Sequence, residues 1–408
     1  MNFIKKNYLV LVAFIAFVCY QIINFYYFST TTVTFGDEGR FINEAIKMSQ
    51  IGEFWNFKDR AWEMPLTAII YSAFYTILGN ERDLIITVRL FQSLLLILQA
   101  VLLYKISLKI FDDKISAFLT FVIVLFYPFF IYYQALLLSE TLFNTILVVS
   151  FYYIYKWYEN DFILNKTFIL ANVFLVLSIY VKGTLSILPP LLLALFFLMN
   201  KYELKGTLKV FSFSLGFYII LMSPWWIRNY SIFNQFVPFT TSSGKVLYLG
   251  NNPSNKYGGN DMAIDVNVAE FTKISSIEDE LERNRVFKEK ALEFIINNPD
   301  RFLELMILKL KRFYNIIPNA EKFSRGYYKW VSLLSYGVIF ILFLASIFIH
   351  IKYFKRLSAI YILFLYFTLL HMIFIASLRY RLPLELFMIL LSSNIISLMY
   401  RRMNASKN

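Results

Sequence analysis

Long apolar runs separated by short polar breaks dominate the chain. They cover Tyr8 to Phe28, Leu84 to Leu103, Ile115 to Leu138, Thr141 to Tyr155, Phe168 to Val181, Leu185 to Met199, Leu208 to Trp226, Val331 to Ile351, Leu357 to Leu378 and Leu382 to Met399. A straight bilayer crossing needs about 20 residues, so the pattern predicts about ten transmembrane helices, several of them short. The expected fold class is an all-α polytopic membrane protein with one mixed loop domain. Three parts follow: a transmembrane module at 1–227 containing a first long loop at 29–83, a polar loop region at 228–328, and C-terminal transmembrane helices at 329–408.

The two long polar stretches have their own periodicity. In the first, Phe41, Ala45, Met48 and Gly52, flanked by Ile42 and Ile46, recur at helical spacing and predict an interfacial helix. Pro65 to Leu78 is apolar but too short to cross, which suggests a second interfacial or re-entrant helix. In the second, turn-rich Gly244 to Asn260 precedes a helix starting near Ser276 and Asp279 and running to about Asn297. Asn298-Pro299 restarts a helix with Asn as its cap. There Phe302, Leu305, Met306, Leu310 and Phe313 share a face, while Lys309, Lys311 and Arg312 suit phosphate headgroups.

Charge sets the orientation. The chain of 408 residues is 58% hydrophobic and only 16% charged, too few charges for an ordinary soluble domain. Its net charge of +13 sits in the breaks between runs. That is a membrane-topology pattern, so no nucleic-acid partner is expected. Lys5 and Lys6 precede the first run without a cleavage motif after it, as in an uncleaved signal anchor. With the N-terminus inside, the inside loops hold Lys105, Lys109, Lys114, Lys156, Lys166, Lys201, Lys205, Lys209, Lys352, Lys355, Arg356, Arg401, Arg402 and Lys407. The expected location is the plasma (inner) membrane with both termini cytoplasmic. A single cysteine, Cys19, excludes a disulfide framework, and two histidines, His350 and His371, argue against a His-ligated metal or a Ser-His-Asp triad.

Chemistry must then come from carboxylates, Lys and Arg. Asp37 and Glu38 in Gly36-Asp37-Glu38-Gly39 follow the first run. Asp37 would cap the interfacial helix, and a carboxylate fixed there can also act as a general base or hold a divalent cation. Glu140 lies at the next outside turn and could converge with Asp37. Lys182, Arg379 and Arg381 break the positive-inside rule, Arg228 lies at the same depth, and Arg89 sits about 8 Å inside a run. Snorkelling to lipid headgroups accounts for a basic residue at a span end, but several at outer mouths point to a specific phosphate. Arg89, buried, needs a structural carboxylate or that phosphate.

The ordered motifs resemble a known superfamily. They are Asp37-Glu38, Met64-Pro65-Leu66, Val88-Arg89-Leu90, Leu138-Ser139-Glu140, Lys182-Gly183-Thr184, Pro224-Trp225-Trp226-Ile227-Arg228-Asn229-Tyr230, Gly244 with Leu249-Gly250-Asn251-Asn252, Asn298-Pro299-Asp300-Arg301-Phe302 and Arg379-Tyr380-Arg381-Leu382-Pro383. Together they are similar to the polytopic GT-C glycosyltransferases, in particular glycosyltransferase family 39, the protein O-mannosyltransferases and lipid A aminoarabinose transferases. The resemblance implies transfer, with inversion, of a hexose or pentose from a polyprenyl-phosphate donor to an envelope glycan, glycolipid or protein acceptor on the extracytoplasmic side. It implies Asp37, Glu38 and Glu140 as catalytic carboxylates and Lys182, Arg228, Arg379, Arg381 and Arg89 as donor-phosphate ligands. No metal ligands are assigned, and no His is expected near the outer face. The alternatives are a lipid-linked glycan polymerase or ligase, and a transporter or flippase; the latter usually carries repeats and mid-span charges, neither of which the sequence shows.

Overall fold

The computed structural model describes residues 2–28, 33, 36–52, 59–159, 164–187, 204–259, 265–319 and 321–406. Among them every regular element is helical. The chain opens with α1 (Asn2–Tyr26), α2 (Gly36–Ile51), α3 (Leu66–Leu78) and α4 (Glu81–Phe111). The bent pair α5 (Lys114–Phe126) and α6 (Pro128–Ala135) leads to α7 (Glu140–Glu159), α8 (Lys166–Val181) and α9 (Leu204–Phe233). The loop region holds α10 (Ser243–Gly250), α11 (Val268–Ser275), α12 (Glu280–Asn297) and α13 (Pro299–Tyr314). Three helices close the chain: α14 (Gly326–Ile349), interrupted by a π turn at Leu333–Gly337, α15 (Phe354–Ile373) and α16 (Leu378–Ala405).

Among the described residues six helices are long and apolar enough to cross a membrane, or seven if α5 and α6 form one span bent by 46°. The bend follows from Pro128 at the start of α6 and the extended backbone of Tyr127 before it. The expected ten are therefore not all long crossings: α8 has 16 residues, and most of the run Leu185 to Met199 lies outside the described residues. Helix α16 is the hub. It packs on α5, α7, α13 and α14, and 83% of its apolar window is buried. Asp113 fastens its far end. One carboxylate oxygen caps α5 through the Ile115 and Ser116 N–H groups and meets Arg401 at 2.6 Å, while the other accepts from Ser397 Oγ at 2.6 Å.

Helices form at both stretches where interfacial ones are expected. Helix α2 buries Phe41, Ile42 and Ala45 against Tyr71 of α3 and Leu84, Ile85 and Val88 of α4. Asp37 is not its cap: the helix already begins at Gly36, which puts Asp37 in the first turn. In the loop region Asp279 caps α12 by accepting from the Glu282 N–H at 2.7 Å. Asn298 precedes α13 but its side chain donates back to Phe294 O at 3.0 Å, so it makes no side-chain cap. Lys309 also departs from expectation. It shares the buried face of α13 with Leu305 and Phe313, four residues away on either side, and faces inward.

Candidate active site

Four charged residues from four distant segments meet in one chain of contacts. Glu140, at the start of α7, is only 2% exposed and receives Lys182 Nζ at 2.7 Å and Arg379 Nε on the same oxygen. Arg379 Nη1 reaches on to Asp37 Oδ2 at 2.5 Å. Asp37 Oδ1 faces Arg40 Nη2 at 3.5 Å, and Arg40 pairs with Glu63. The result is an alternating row of cations and anions, Lys182, Glu140, Arg379, Asp37, Arg40 and Glu63. Each element supplies its residue at a helix end: α2 its first turn, α7 its first residue, α8 its C-cap, and α16 its first turn. Burial raises the Asp37 carboxyl, but the Arg379 hydrogen bond and the charges of Arg379 and Arg40 outweigh it and leave it below the usual carboxylate range.

This row borders a cavity of about 1590 Å³. Glu63, Lys182, Arg379 and Tyr380 line one side, and the start of α12 with residues 232–246 lines the other. Apolar wall comes from Ile187, Phe233, Phe236, Phe239, Leu370 and Phe374. The cavity therefore offers both apolar surface and charged groups, as a site for a charged-headed lipid requires; Arg60, Glu280, Glu282, Arg285 and Lys288 add further charge along its α12 side. His371 also lines it, contrary to the expectation of no outer-face histidine. Its Nδ1 lies 2.9 Å from Ile375 O, and its ring stacks at 5.0 Å on Tyr380, beside Arg379.

The other expected residues lie elsewhere. Glu38 points away from the cavity and, fully buried, accepts from the Leu137 N–H at 2.9 Å. Arg89 donates from Nε to Ala135 O at 2.8 Å and lies over the Phe28 ring, in the field of Glu38. Its partners are protein groups. Arg228 lies over Trp225 and donates to Asn229 Oδ1 at 2.7 Å, off the cavity wall. Arg381 is the clearest departure. It is 0% exposed, pairs with Glu385 at 2.6 Å, donates to Phe313 O and Asn315 O at 3.0 and 2.9 Å, and rests 3.4 Å from the Tyr336 ring centroid. Arg379 and Arg381 are two positions apart on α16, and on a helix that turns one toward the cavity and the other into the core.

Sequence reasoning passed over Arg40, Glu63, Trp62, His371 and the latch around Glu280. The Glu280 carboxylate accepts from the Arg60 and Ala61 N–H groups at 2.5 and 3.0 Å and from Thr241, while Arg283 pairs with Asp59. These contacts fasten α12 over the segment that carries Trp62 and Glu63. Arg40 was detectable, since it stands three residues from Asp37 on the helix. Glu63 had no local signal.

Residues 60–227 match the family described as dolichyl-phosphate-mannose-protein mannosyltransferase. The whole chain superposes on the oligosaccharyltransferase AglB from Archaeoglobus fulgidus, in complex with an inhibitory peptide and a dolichol-phosphate, with TM-score 0.60, 14% identity, and coverage of 99% of this chain and 52% of that one. The chain shares the fold of this oligosaccharyltransferase. ArnT from Cupriavidus metallidurans, bound to undecaprenyl phosphate, aligns at TM-score 0.46 and 14% identity over 95% of this chain and 78% of that one. An uncharacterized protein of Aquifex aeolicus (strain VF5) is 29% identical over 212 residues, 50% of this chain and 41% of that relative. The chain thus spans about half the length of these relatives, AglB and the Aquifex protein.

On this scaffold the residues do not suit a resident divalent cation. Asp37, Glu63 and Glu140 are each engaged by Arg or Lys, and among the described residues no three His, Cys, Asp or Glu side chains gather as a metal set. The arrangement can hold an anion against Lys182 and Arg379 and a polar acceptor against carboxylates.

Proposed function

We propose that the protein moves a sugar from a polyprenyl-phosphate donor to a hydroxyl acceptor, with inversion, at the extracytoplasmic face of the plasma membrane. The observation that carries this reading is that Lys182 and Arg379, held by Glu140 and Asp37, line a cavity that also carries the apolar side chains Ile187, Phe233, Phe236, Phe239, Leu370 and Phe374. The leaving phosphate gains charge as the sugar departs, and preorganised cations in a partly dry site stabilise that charge. Arg379 spends Nε and Nη1 on carboxylates, but a guanidinium carries five N–H donors and an ammonium three, so both cations can also meet phosphate oxygens. Glu140 fixes the two cations at one spacing. Asp37 orients Arg379. The matched mannosyltransferase family and the dolichol-phosphate held by AglB support a lipid-phosphate donor. The basic breaks Lys105 to Lys114 and Lys352 to Arg356 support placing the opposite face, and both termini, in the cytoplasm.

Undecaprenyl phosphate titrated against purified wild type, Lys182→Ala and Arg379→Ala tests the phosphate site. Each variant should bind about 5- to 150-fold more weakly, the equivalent of about 1 to 3 kcal/mol for a charged hydrogen bond. Equal affinities in all three proteins would refute it.

A further inference from the structure

We propose that Glu63, and not Asp37, receives the proton of the acceptor hydroxyl, while Asp37 positions the phosphate-binding Arg379. This rests on the glycosyltransferase reading above and assigns a step within it. Three geometric observations carry it. First, Asp37 is held on both oxygens by guanidinium groups, Arg379 at 2.5 Å and Arg40 at 3.5 Å. A carboxylate so neutralised has little tendency to accept a proton. Second, Glu63 lines the cavity together with Lys182 and Arg379, while its contact with Arg40 uses Oε1. Third, Glu63 follows two residues after Ala61, on the segment whose backbone the Glu280 carboxylate holds at Arg60 and Ala61, so its main chain is anchored beside the cavity.

Burial, more than the surrounding charges, favours proton uptake at this end of the row. Facing Glu63 are Arg40, Asp37 and Glu44 of α2, Asp59 on its own segment, Lys182 at the end of α8, and Arg379 and Tyr380 of α16. Burial pushes the Glu63 carboxyl above the usual carboxylate range, with Arg40 and Arg379 opposing, whereas Asp37 is pulled below it. A base works best when its proton affinity approaches the working pH, which separates the two carboxylates into a proton acceptor and an orienting anion.

The step balances as follows. The acceptor O–H proton passes to Glu63, the acceptor oxygen bonds to the anomeric carbon, and the bond from that carbon to the phosphate oxygen breaks. The electron pair leaves on the phosphate as polyprenyl phosphate, held by Lys182 and Arg379. The protonated Glu63 returns its proton to solvent.

The test uses full-length wild type, Glu63→Gln, Glu63→Asp and Asp37→Asn in nanodiscs, with undecaprenyl-phosphate-linked mannose, glucose, galactose and aminoarabinose as donors and water as acceptor. Sugar release is measured from pH 5 to 9, beside binding of undecaprenyl phosphate. Glu63→Gln should lose roughly 10² to 10⁴ in turnover, the range of a general base, while keeping wild-type affinity for the lipid phosphate. The acid limb of the wild-type profile should vanish in Glu63→Gln, persist in Asp37→Asn, and return with reduced rate in Glu63→Asp, which also covers failure of the Gln variant to fold. An acid limb lost in Asp37→Asn and kept in Glu63→Gln overturns the assignment but leaves the transferase reading intact. A wild type that binds the lipid phosphate yet releases sugar from none of the donors overturns both.

Discussion

Replacing Arg381 by Met separates a structural role from a donor-binding one. The guanidinium is sealed in the core of the bundle, with Glu385 beside it equally buried. Methionine matches its length without charge. The change strands the Glu385 carboxylate, and loss of one partner of a buried ion pair costs about 3 to 5 kcal/mol. Phe313 O and Asn315 O lose their donor as well, at about 1 to 3 kcal/mol each when nothing replaces it. These terms share one site and do not add, so the net loss should be about 4 kcal/mol or more. The double variant Arg381→Met, Glu385→Leu removes the stranded charge and should recover most of the loss. Thermal unfolding followed by tryptophan fluorescence reads the stability, and titration of undecaprenyl phosphate reads the site. A large drop in Tm for the single variant, its recovery in the double, and unchanged lipid-phosphate affinity in the double are expected. A single variant with wild-type Tm and lost affinity would refute the reasoning and make Arg381 a phosphate ligand.

Other outcomes follow from the same contacts. Asp37→Asn should lower turnover by about tenfold or more while leaving Tm nearly unchanged, because the amide cannot balance Arg379 and Arg40; full activity would remove Asp37 from the site. Gly250→Ala would place a Cβ 1.8 Å from Phe374 O, a backbone atom with nowhere to go, and should destabilise by about 1 to 3 kcal/mol and weaken lipid-phosphate binding, since that turn leads into Arg379. Lys309 is held at about 7 by burial, below its ordinary 10.5, and donates to the uncharged acceptors Asn251 Oδ1 and Ile373 O. The unfolded chain therefore binds the extra proton between about pH 7 and 10.5, and stability should rise with pH across that window. Lys309→Met should flatten this slope and be more stable than wild type at pH 6; an unchanged slope would exclude Lys309 as its source. Reporter fusions at Lys355 and Gly258 should fall on opposite sides of the membrane.

Local patterns determined much of the architecture. The long apolar runs, the amphipathic face of α2 and the Asp279 cap are consequences of residues within a few positions of one another, so periodicity and capping chemistry reveal them directly. The exceptions to the positive-inside rule likewise singled out Lys182 and Arg379 before any fold was known. What periodicity cannot say is which partner a charged side chain meets. Asp37 and Arg379 are 342 residues apart, and only the packing of α2 against the start of α16 places their charges in contact. As a lysine near Lys311 and Arg312, Lys309 reads locally as a headgroup ligand. Its place on the face shared by Leu305 and Phe313 was legible in the spacing, but its acceptors belong to α15 and to the end of α10. Arg381 and Glu385 stand four apart on α16, a pairing that spacing alone allows. Tertiary structure decided that both sit in the core while Arg379 turns to the cavity. A charge buried in low dielectric must find a partner wherever the chain brings one, and that search runs across the whole molecule, not along the sequence.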